Sequence, residues 1–252
     1  MLLLECNDLS FSYHTHTGEI SVIKSVSFRI HKGEFVSIVG PSGCGKSTLL
    51  GLLTGILSPE EGSIKIHYKQ KGTQSFYGYM LQQDHLLEWY DIWDNVCLGP
   101  KINHCLDSAC KEYLHTLLTR YQLDSFAHKK PSQLSGGMRQ RAALIRTLAM
   151  KPELLYLDEP FSALDYQNRL NAADDIGKII QKEGKTAVLV THDIGEAISL
   201  SSRVLVLSKR PATIVKEFDL PFQNTGLSSL EIRNLPEFST YFNLIWKELN
   251  TT

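Results

Sequence analysis

The chain has 252 residues, enough for one large domain or two small ones around a buried core, and its 26 basic and 27 acidic side chains leave a formal net charge of -1. That balance argues against a protein that tracks a phosphate backbone, which would show a basic stripe or an elevated pI, so no nucleic-acid partner is expected. Cys6, Cys44, Cys97, Cys105 and Cys110 contain no CxxC pair and are odd in number, against a disulfide framework, and Cys105 and Cys110 with His104 or His115 match no ordinary zinc spacing.

No apolar run approaches the length of a membrane span, and Met1-Leu2-Leu3-Leu4 gives way at once to Glu5, so neither a spanning helix nor a signal peptide is expected. Leu3 to Ile30 holds two apolar, partly alternating stretches around the polar run His14 to Glu19, which predicts antiparallel strands joined by a loop. Tyr13 closes the first stretch. An aromatic there can stack on a purine base or be a half-buried strand residue, and position alone does not choose.

Glu34 to Val39 reads as a buried strand, and Thr48 to Leu53 begins a helix that runs to about Gly55. Between them lies Gly40-Pro41-Ser42-Gly43-Cys44-Gly45-Lys46-Ser47. Glycines let consecutive backbone N–H groups point at phosphate oxygens, Lys46 can reach the β and γ phosphates, and the Ser47 hydroxyl can sit on Mg²⁺. The helix N-terminus adds partial positive charge. Strand, glycine loop and helix together predict a triphosphate site.

Ser58 to Gly62 is a turn cluster, Ser63 to Ile66 a short strand, Lys69 to Gln74 a hairpin loop, and Phe76 to Leu81 a strand that delivers Gln82 and Gln83. From Asp84 to Ala127 helical spacing takes over, as in Tyr113, Leu114, Leu117, Leu118 and Tyr121, which predicts an inserted helical lobe ending at Lys129-Lys130-Pro131. Leu134-Ser135-Gly136-Gly137 then opens a helix that stops before Pro152. A hydroxyl and unobstructed N–H groups there can receive an anion; Ser135 can equally be an ordinary N-cap.

Leu154 to Leu157 reads as a buried strand ending in Asp158-Glu159, two acids costly to bury without a cation. Strand alternation sets them on opposite sides, so Asp158 can order Mg²⁺ while Glu159 polarises a water. Ser162 to Asp165 is a turn into a helix running to about Lys182, and Thr186 to Val190 is a further buried strand with His192 at its carboxyl end, where ligands of open α/β sheets gather. After Lys209 come two more apolar strands' worth of residues, a polar linker from Gln223 to Ser229, and an amphipathic helix through Phe238, Tyr241, Phe242, Ile245, Trp246 and Leu249, read as docking on its own domain.

Taken in order, Gly40 to Ser47, Gln82, Leu134 to Gly137, Leu154 to Glu159, Ser162 to Asp165 and His192 resemble the ATP-binding subunit of an ATP-binding cassette (ABC) transporter over nearly the whole chain. Met80-Leu81-Gln82, Leu86-Leu87-Glu88-Trp89, Met138-Arg139-Gln140-Arg141, Thr191-His192-Asp193-Ile194 with Glu196-Ala197, and the late Leu235 to Phe238 and Ile245-Trp246 are similar to importers of the nitrate, sulfonate and taurine type, and some thiamine-precursor importers share them. The resemblance implies an α/β P-loop NTPase core with a RecA-like mixed sheet, an antiparallel β subdomain and an inserted α-helical subdomain. It implies an ATPase domain over 1–222, with the insertion at about 84–145, and a C-terminal helical tail over 223–252.

The same resemblance implies ATP and Mg²⁺ as cofactors. Tyr13 would stack on adenine; Gly40 through Thr48 would hold the phosphates; Ser47, Gln82 and Asp158 would serve the metal; Glu159, His192, Gln82 and Lys46 would carry catalysis. Ser135, Gly136 and Gly137 would act on the nucleotide of a second, opposed copy, with Asp165 at the dimer seam. Implied partners are that second ATPase subunit, transmembrane permease subunits and, indirectly, an extracytoplasmic solute-binding protein, which puts the chain at the cytoplasmic face of the membrane. Leu81, Glu88, Gly195 and Ser202 depart from the family's frequent residues, and of these Glu88 bears on the membrane partner. Two other classes, a non-transport cassette ATPase and a nucleotide-holding regulatory module, are disfavoured by the single cassette with its short lobe and by intact Glu159 and His192.

Overall fold

The computed structural model describes residues 1–16, 18–68, 76–222 and 226–251. In chain order it runs β1 (Leu2–Thr15), β2 (Gly18–His31), β3 (Phe35–Val39), α1 (Lys46–Leu53), β4 (Glu61–Ile66), β5 (Tyr77–Met80), α2 (Ile92–Ile102), α3 (Ser108–Arg120) and α4 (Gly136–Leu148). It continues with β6 (Leu154–Asp158), α5 (Tyr166–Lys182), β7 (Thr186–Thr191), α6 (Ile194–Leu200), β8 (Arg203–Leu207), β9 (Ile214–Asp219), α7 (Ser229–Arg233) and α8 (Pro236–Thr251). Two compact units emerge, Met1–Tyr68 with Thr186–Thr252 and Lys69–Lys185. The expected hairpin loop at Lys69 to Gln74 and the start of the linker at Gln223 lie outside the described residues.

In the first unit, β1 pairs antiparallel with β2 on one side and β4 on the other. Period-two alternation explains the arrangement. Leu4 and Cys6 face Ile30 and Phe28 in register, and all four are buried, whereas Glu5 and Arg29 oppose each other on the outer face and bond at 2.8 Å. The polar run expected to be loop is mostly strand, because Thr15 and Gly18 still pair.

The same unit holds β3 between two parallel neighbours, β7 and β8, with β9 antiparallel on β8. Every residue of β3 and β7 is buried. A strand covered on both faces needs a near-continuous apolar run, which β7 provides between Thr186 and Thr191 and β3 provides except at Ser37, whose buried hydroxyl is satisfied by that of Ser201. The second unit pairs β5 with β6 in parallel and carries α2 to α5, with Tyr156 and Phe161 among its fully buried side chains.

Among the described residues one strand, β9, follows Lys209, where the sequence suggests two. The second apolar stretch, Leu220 to Phe222, buries Leu220 and Phe222 in a cluster with Val204 and Val206 without joining the sheet. Pro221 sits between them and has no N–H to give a ladder. β8 instead lies before Lys209, and no helical period marks α6 between β7 and β8, because Ile194 to Ser199 are all buried and leave no polar face to set one.

Helix α8 completes this cluster. Ile245 is 0% exposed among Val39, Ile194, Ala197, Ile198 and Phe218, with Phe238, Tyr241, Phe242 and Leu249 packed alongside. Ile245→Ala is therefore expected to cost about 3 kcal/mol of stability. Urea denaturation measures this; a change below about 1 kcal/mol would mean that α8 unfolds separately from the unit.

Candidate functional site

The glycine loop sits where the sequence predicted, between β3 and α1. Val39 is in register with Thr191, so the chain enters the loop at Gly40 beside the turn that carries His192. Gly45 has φ 124, and a Cβ there would meet Val22 Cγ1 at 2.7 Å, so only glycine fits. Lys46 is 6% exposed and its Nζ donates to the carbonyls of Gly40 at 3.0 Å and Pro41 at 3.1 Å. Two loop carbonyls thus solvate the buried ammonium and hold it in the concavity of the loop.

Asp91, Asp107, Ser135, Asp165, Asp193 and Ser228 each cap their helices α2 to α7 with a side-chain oxygen. Helix α1 has Gly45 at its N-cap position and so no side-chain cap. Its first-turn amides therefore face the loop without a side-chain acceptor from the N-cap, the arrangement an anion requires. Ser42, Gly43 and Ser47 are exposed. Burial pushes the Cys44 thiol above its usual range even though Lys46 and Arg210 pull the other way, which suits a packing residue better than a nucleophile.

Tyr13 is 43% exposed and its hydroxyl shares a hydrogen bond with Thr48 Oγ1 at 3.4 Å, with Phe11 edge-on at 5.0 Å. The first-strand aromatic is thus brought to the first turn of α1. His192 is exposed, and the turn that presents it is locked from below: Thr191 Oγ1 donates to buried Glu196 at 2.7 Å and accepts from Asp193 N–H at 3.0 Å. Asp193 in turn accepts from Glu196 N–H at 2.9 Å. The residues themselves carried no signal that Thr191 and Glu196 hold His192 in place.

The second unit carries the other candidates. Met80 is in register with Leu157, so Gln82 and Glu159, each two residues on, leave neighbouring strands at the same edge. Asp158 is 8% exposed and accepts a hydrogen bond from Tyr79 at 3.2 Å. Burial first, and then the Asp158 carboxylate, push the Tyr79 hydroxyl upward, so it remains a donor. Glu159 has φ 43, in the left-handed region, where a side chain with a Cβ is strained. Ser162 holds it there, donating to the Glu159 carbonyl from its N–H at 3.1 Å and its hydroxyl at 3.0 Å.

Just after Gln82, Arg146 of α4 donates to the carbonyls of Asp84 and His85 at 2.7 Å each, and Arg139 lies 3.0 Å from the Asp84 carboxylate. The glutamine segment is thereby tied to the helix that begins at Gly136. Ser135 acts as N-cap, accepting from Met138 N–H at 3.4 Å. A Cβ on Gly136 would meet Leu164 Cδ2 at 2.5 Å, whereas around Gly137 nothing lies within 4 Å. Segments 135–137 and 162–165, far apart in sequence, are therefore neighbours. Asp165 caps α5, and the Asn168 side chain and amide hold its carboxyl below the usual carboxylate range.

No group of three or more His, Cys, Asp or Glu side chains among the described residues forms a metal cluster of its own.

A family model described as ABC transporter matches residues 23–162. The chain is 42% identical over 252 residues to the ABC transporter ATP-binding protein YtlC of Bacillus subtilis, covering 100% of this chain and 97% of that one. It is 36% identical over 251 residues to the taurine import ATP-binding protein TauB of Roseobacter denitrificans, covering 96% and 94%. Among solved structures, the dimeric post-hydrolysis state of the ATP-binding cassette MJ0796 bound to ADP and Pi superposes with a TM-score of 0.71 at 30% identity, covering 86% of this chain and 99% of that one.

Proposed function

Because the chain belongs to the ABC transporter family, we infer that it powers the uptake of a small solute, of the taurine, nitrate and sulfonate type or akin to a thiamine precursor. It is an ATP-binding subunit and an ATPase. The observation that carries the reading is that one chain holds both an uncapped, glycine-shaped loop around Lys46 and a separate signature segment with open space at Gly137, while a similar cassette is a dimer with ADP and Pi. Two copies set head to tail would use both features at each ATP. Relatives named for import disfavour a non-transport role.

In this reading Tyr13 stacks on adenine. Gly40, Pro41, Ser42, Gly43, Cys44, Gly45 and Thr48 supply the phosphate cradle, and Lys46 neutralises phosphate charge. Glu159 polarises the attacking water and His192 donates to the γ phosphate. Ser47, Asp158 and Gln82 offer hard oxygens of the kind magnesium takes, and the 8% exposure of Asp158 suits a carboxylate balanced by a cation. Bound magnesium supplies charge neutralisation on the transferred phosphoryl group. Ser135, Gly136 and Gly137 complete the site of the other copy, with Asp165 at the seam, so hydrolysis waits on closure.

Gln82, pinned through Asp84 and His85 to α4, would relay that closure to permease subunits. We assign residues 1–222 to the ATPase domain, with the helical insertion at about 84–145, and 223–252 to the tail. No described helix is long and apolar enough to cross a membrane, which fits a peripheral subunit at the cytoplasmic face. A solute-binding protein on the far side would choose the cargo.

Ser135→Ala is expected to lower ATP turnover about tenfold or more while leaving ATP affinity nearly intact, since its nucleotide belongs to the opposite copy. Steady-state hydrolysis alongside equilibrium ATP titration measures both. Loss of affinity with turnover per bound ATP preserved would place Ser135 at its own copy's nucleotide and undo the head-to-tail arrangement.

A further inference from the structure

We propose that Arg210 is a positioning residue of the phosphate loop: its guanidinium fixes the Gly43–Cys44 peptide and so pre-sets the amides that receive phosphate. The proposal rests on the reading of Gly40 to Ser47 as the triphosphate site.

Arg210 lies in the turn between β8 and β9, and its Nη2 donates to the Gly43 carbonyl at 2.6 Å. A trans peptide sets its C=O and N–H antiparallel. A guanidinium on the Gly43 oxygen therefore turns the Cys44 N–H the opposite way, and there it donates to the Pro41 carbonyl at 3.2 Å, closing the loop. Gly43 has φ 72 and no side chain with which to hold itself. Its tip is held from outside instead.

The turn that supplies Arg210 is itself fixed to the bed of the loop. Ala212 N–H donates to Val22 at 2.8 Å and Lys24 N–H donates to Ala212 at 3.0 Å. Val22 and Ile23 are the same side chains that leave room only for glycine at position 45. At the turn's other end, Leu207 Cβ would stand 3.0 Å from a Cβ on Gly40. Ser208 Oγ stiffens the turn, accepting from Thr213 N–H at 3.0 Å and donating to the Lys209 carbonyl at 2.9 Å.

One strap thus meets the loop at its start, its tip and, through β2, its end. A loop with three glycines samples many conformations, and each must be given up when phosphate binds. A charge-assisted bond to the tip removes part of that cost before the ligand arrives. Arg210 is exposed, so the contact does not exist to satisfy a buried charge.

The test is equilibrium binding of ATP and of ADP, with magnesium, to the purified full chain as wild type, Arg210→Ala, Arg210→Lys and Lys46→Ala, with thermal unfolding measured without nucleotide. Arg210→Ala should weaken both nucleotides on the order of tenfold at an unchanged unfolding midpoint, and should raise KM while leaving kcat within about twofold. Arg210→Lys should recover part of the loss, since an ammonium can still donate to the Gly43 oxygen. Affinity within about twofold of wild type for Arg210→Ala, with Lys46→Ala defective, overturns the proposal alone. So does a lowered midpoint that tracks the affinity loss in both Arg210 variants, which assigns the residue to folding. Wild-type affinity in Lys46→Ala overturns the triphosphate reading, and the proposal with it.

Discussion

Glu159→Gln is expected to lower ATP turnover by about 10²–10⁴-fold while leaving ATP bound, because a neutral amide cannot accept the proton of the attacking water. The carboxylate stands just beyond β6, on a backbone held at φ 43 by two hydrogen bonds from Ser162 to its own carbonyl. Glutamine keeps the side chain's shape and leaves those backbone bonds untouched. The variant should therefore fold as wild type and stall after binding. Since closure around ATP precedes hydrolysis in the head-to-tail reading, the stalled state should accumulate as a dimer. Size-exclusion chromatography with ATP, paired with steady-state hydrolysis, reads both effects. A variant that turns over ATP at the wild-type rate would remove Glu159 from the chemistry, and one that stays monomeric with ATP bound would remove the dimer from the mechanism.

Lys46→Ala should weaken ATP binding by about 100-fold or more, because the ammonium carries the positive charge that the loop itself places in its concavity. Its two carbonyl partners, Gly40 and Pro41, lie 3.0 and 3.1 Å away within the loop, so the substitution removes a local contact and leaves the core clusters intact. Titration with a fluorescent ATP analogue measures affinity, and a thermal melt without nucleotide checks the fold. Unchanged affinity would overturn the reading of Gly40 to Ser47 as the triphosphate site. Lys46→Arg discriminates further: a planar fork in place of a point charge should bind weakly, because Lys46 is only 6% exposed and the guanidinium is the larger head.

The phosphate loop was legible because its chemistry is local. Strand, glycines, lysine and helix lie within some twenty residues, and each follows from what its neighbours allow. The strand ends at Asp158 and His192 were legible for the same reason, as polar residues abruptly ending apolar runs. Less visible were contacts joining distant segments. Nothing in Ser162 to Asp165 announces that Leu164 lies against Gly136, and nothing in the run Lys209 to Thr213 announces a strap across the loop. Single residues such as Arg210 and Glu196 carry no periodicity, so only coordinates reveal them.

By itself the sequence determined that a triphosphate loop opens a helix, that acids and a histidine end buried strands, and that the joint order of these motifs marks an ABC ATPase. Those features depend on period, spacing and residue chemistry along a short stretch. Tertiary structure alone decided that Tyr13 reaches Thr48, that Thr191 and Glu196 lock the turn beneath His192, that Leu220 and Phe222 pack in the core without extending a strand, and that α8 buries Ile245. Such contacts depend on which distant segments can be covered together. That is settled by the burial of side chains from the whole unit at once, and no window along the chain contains it.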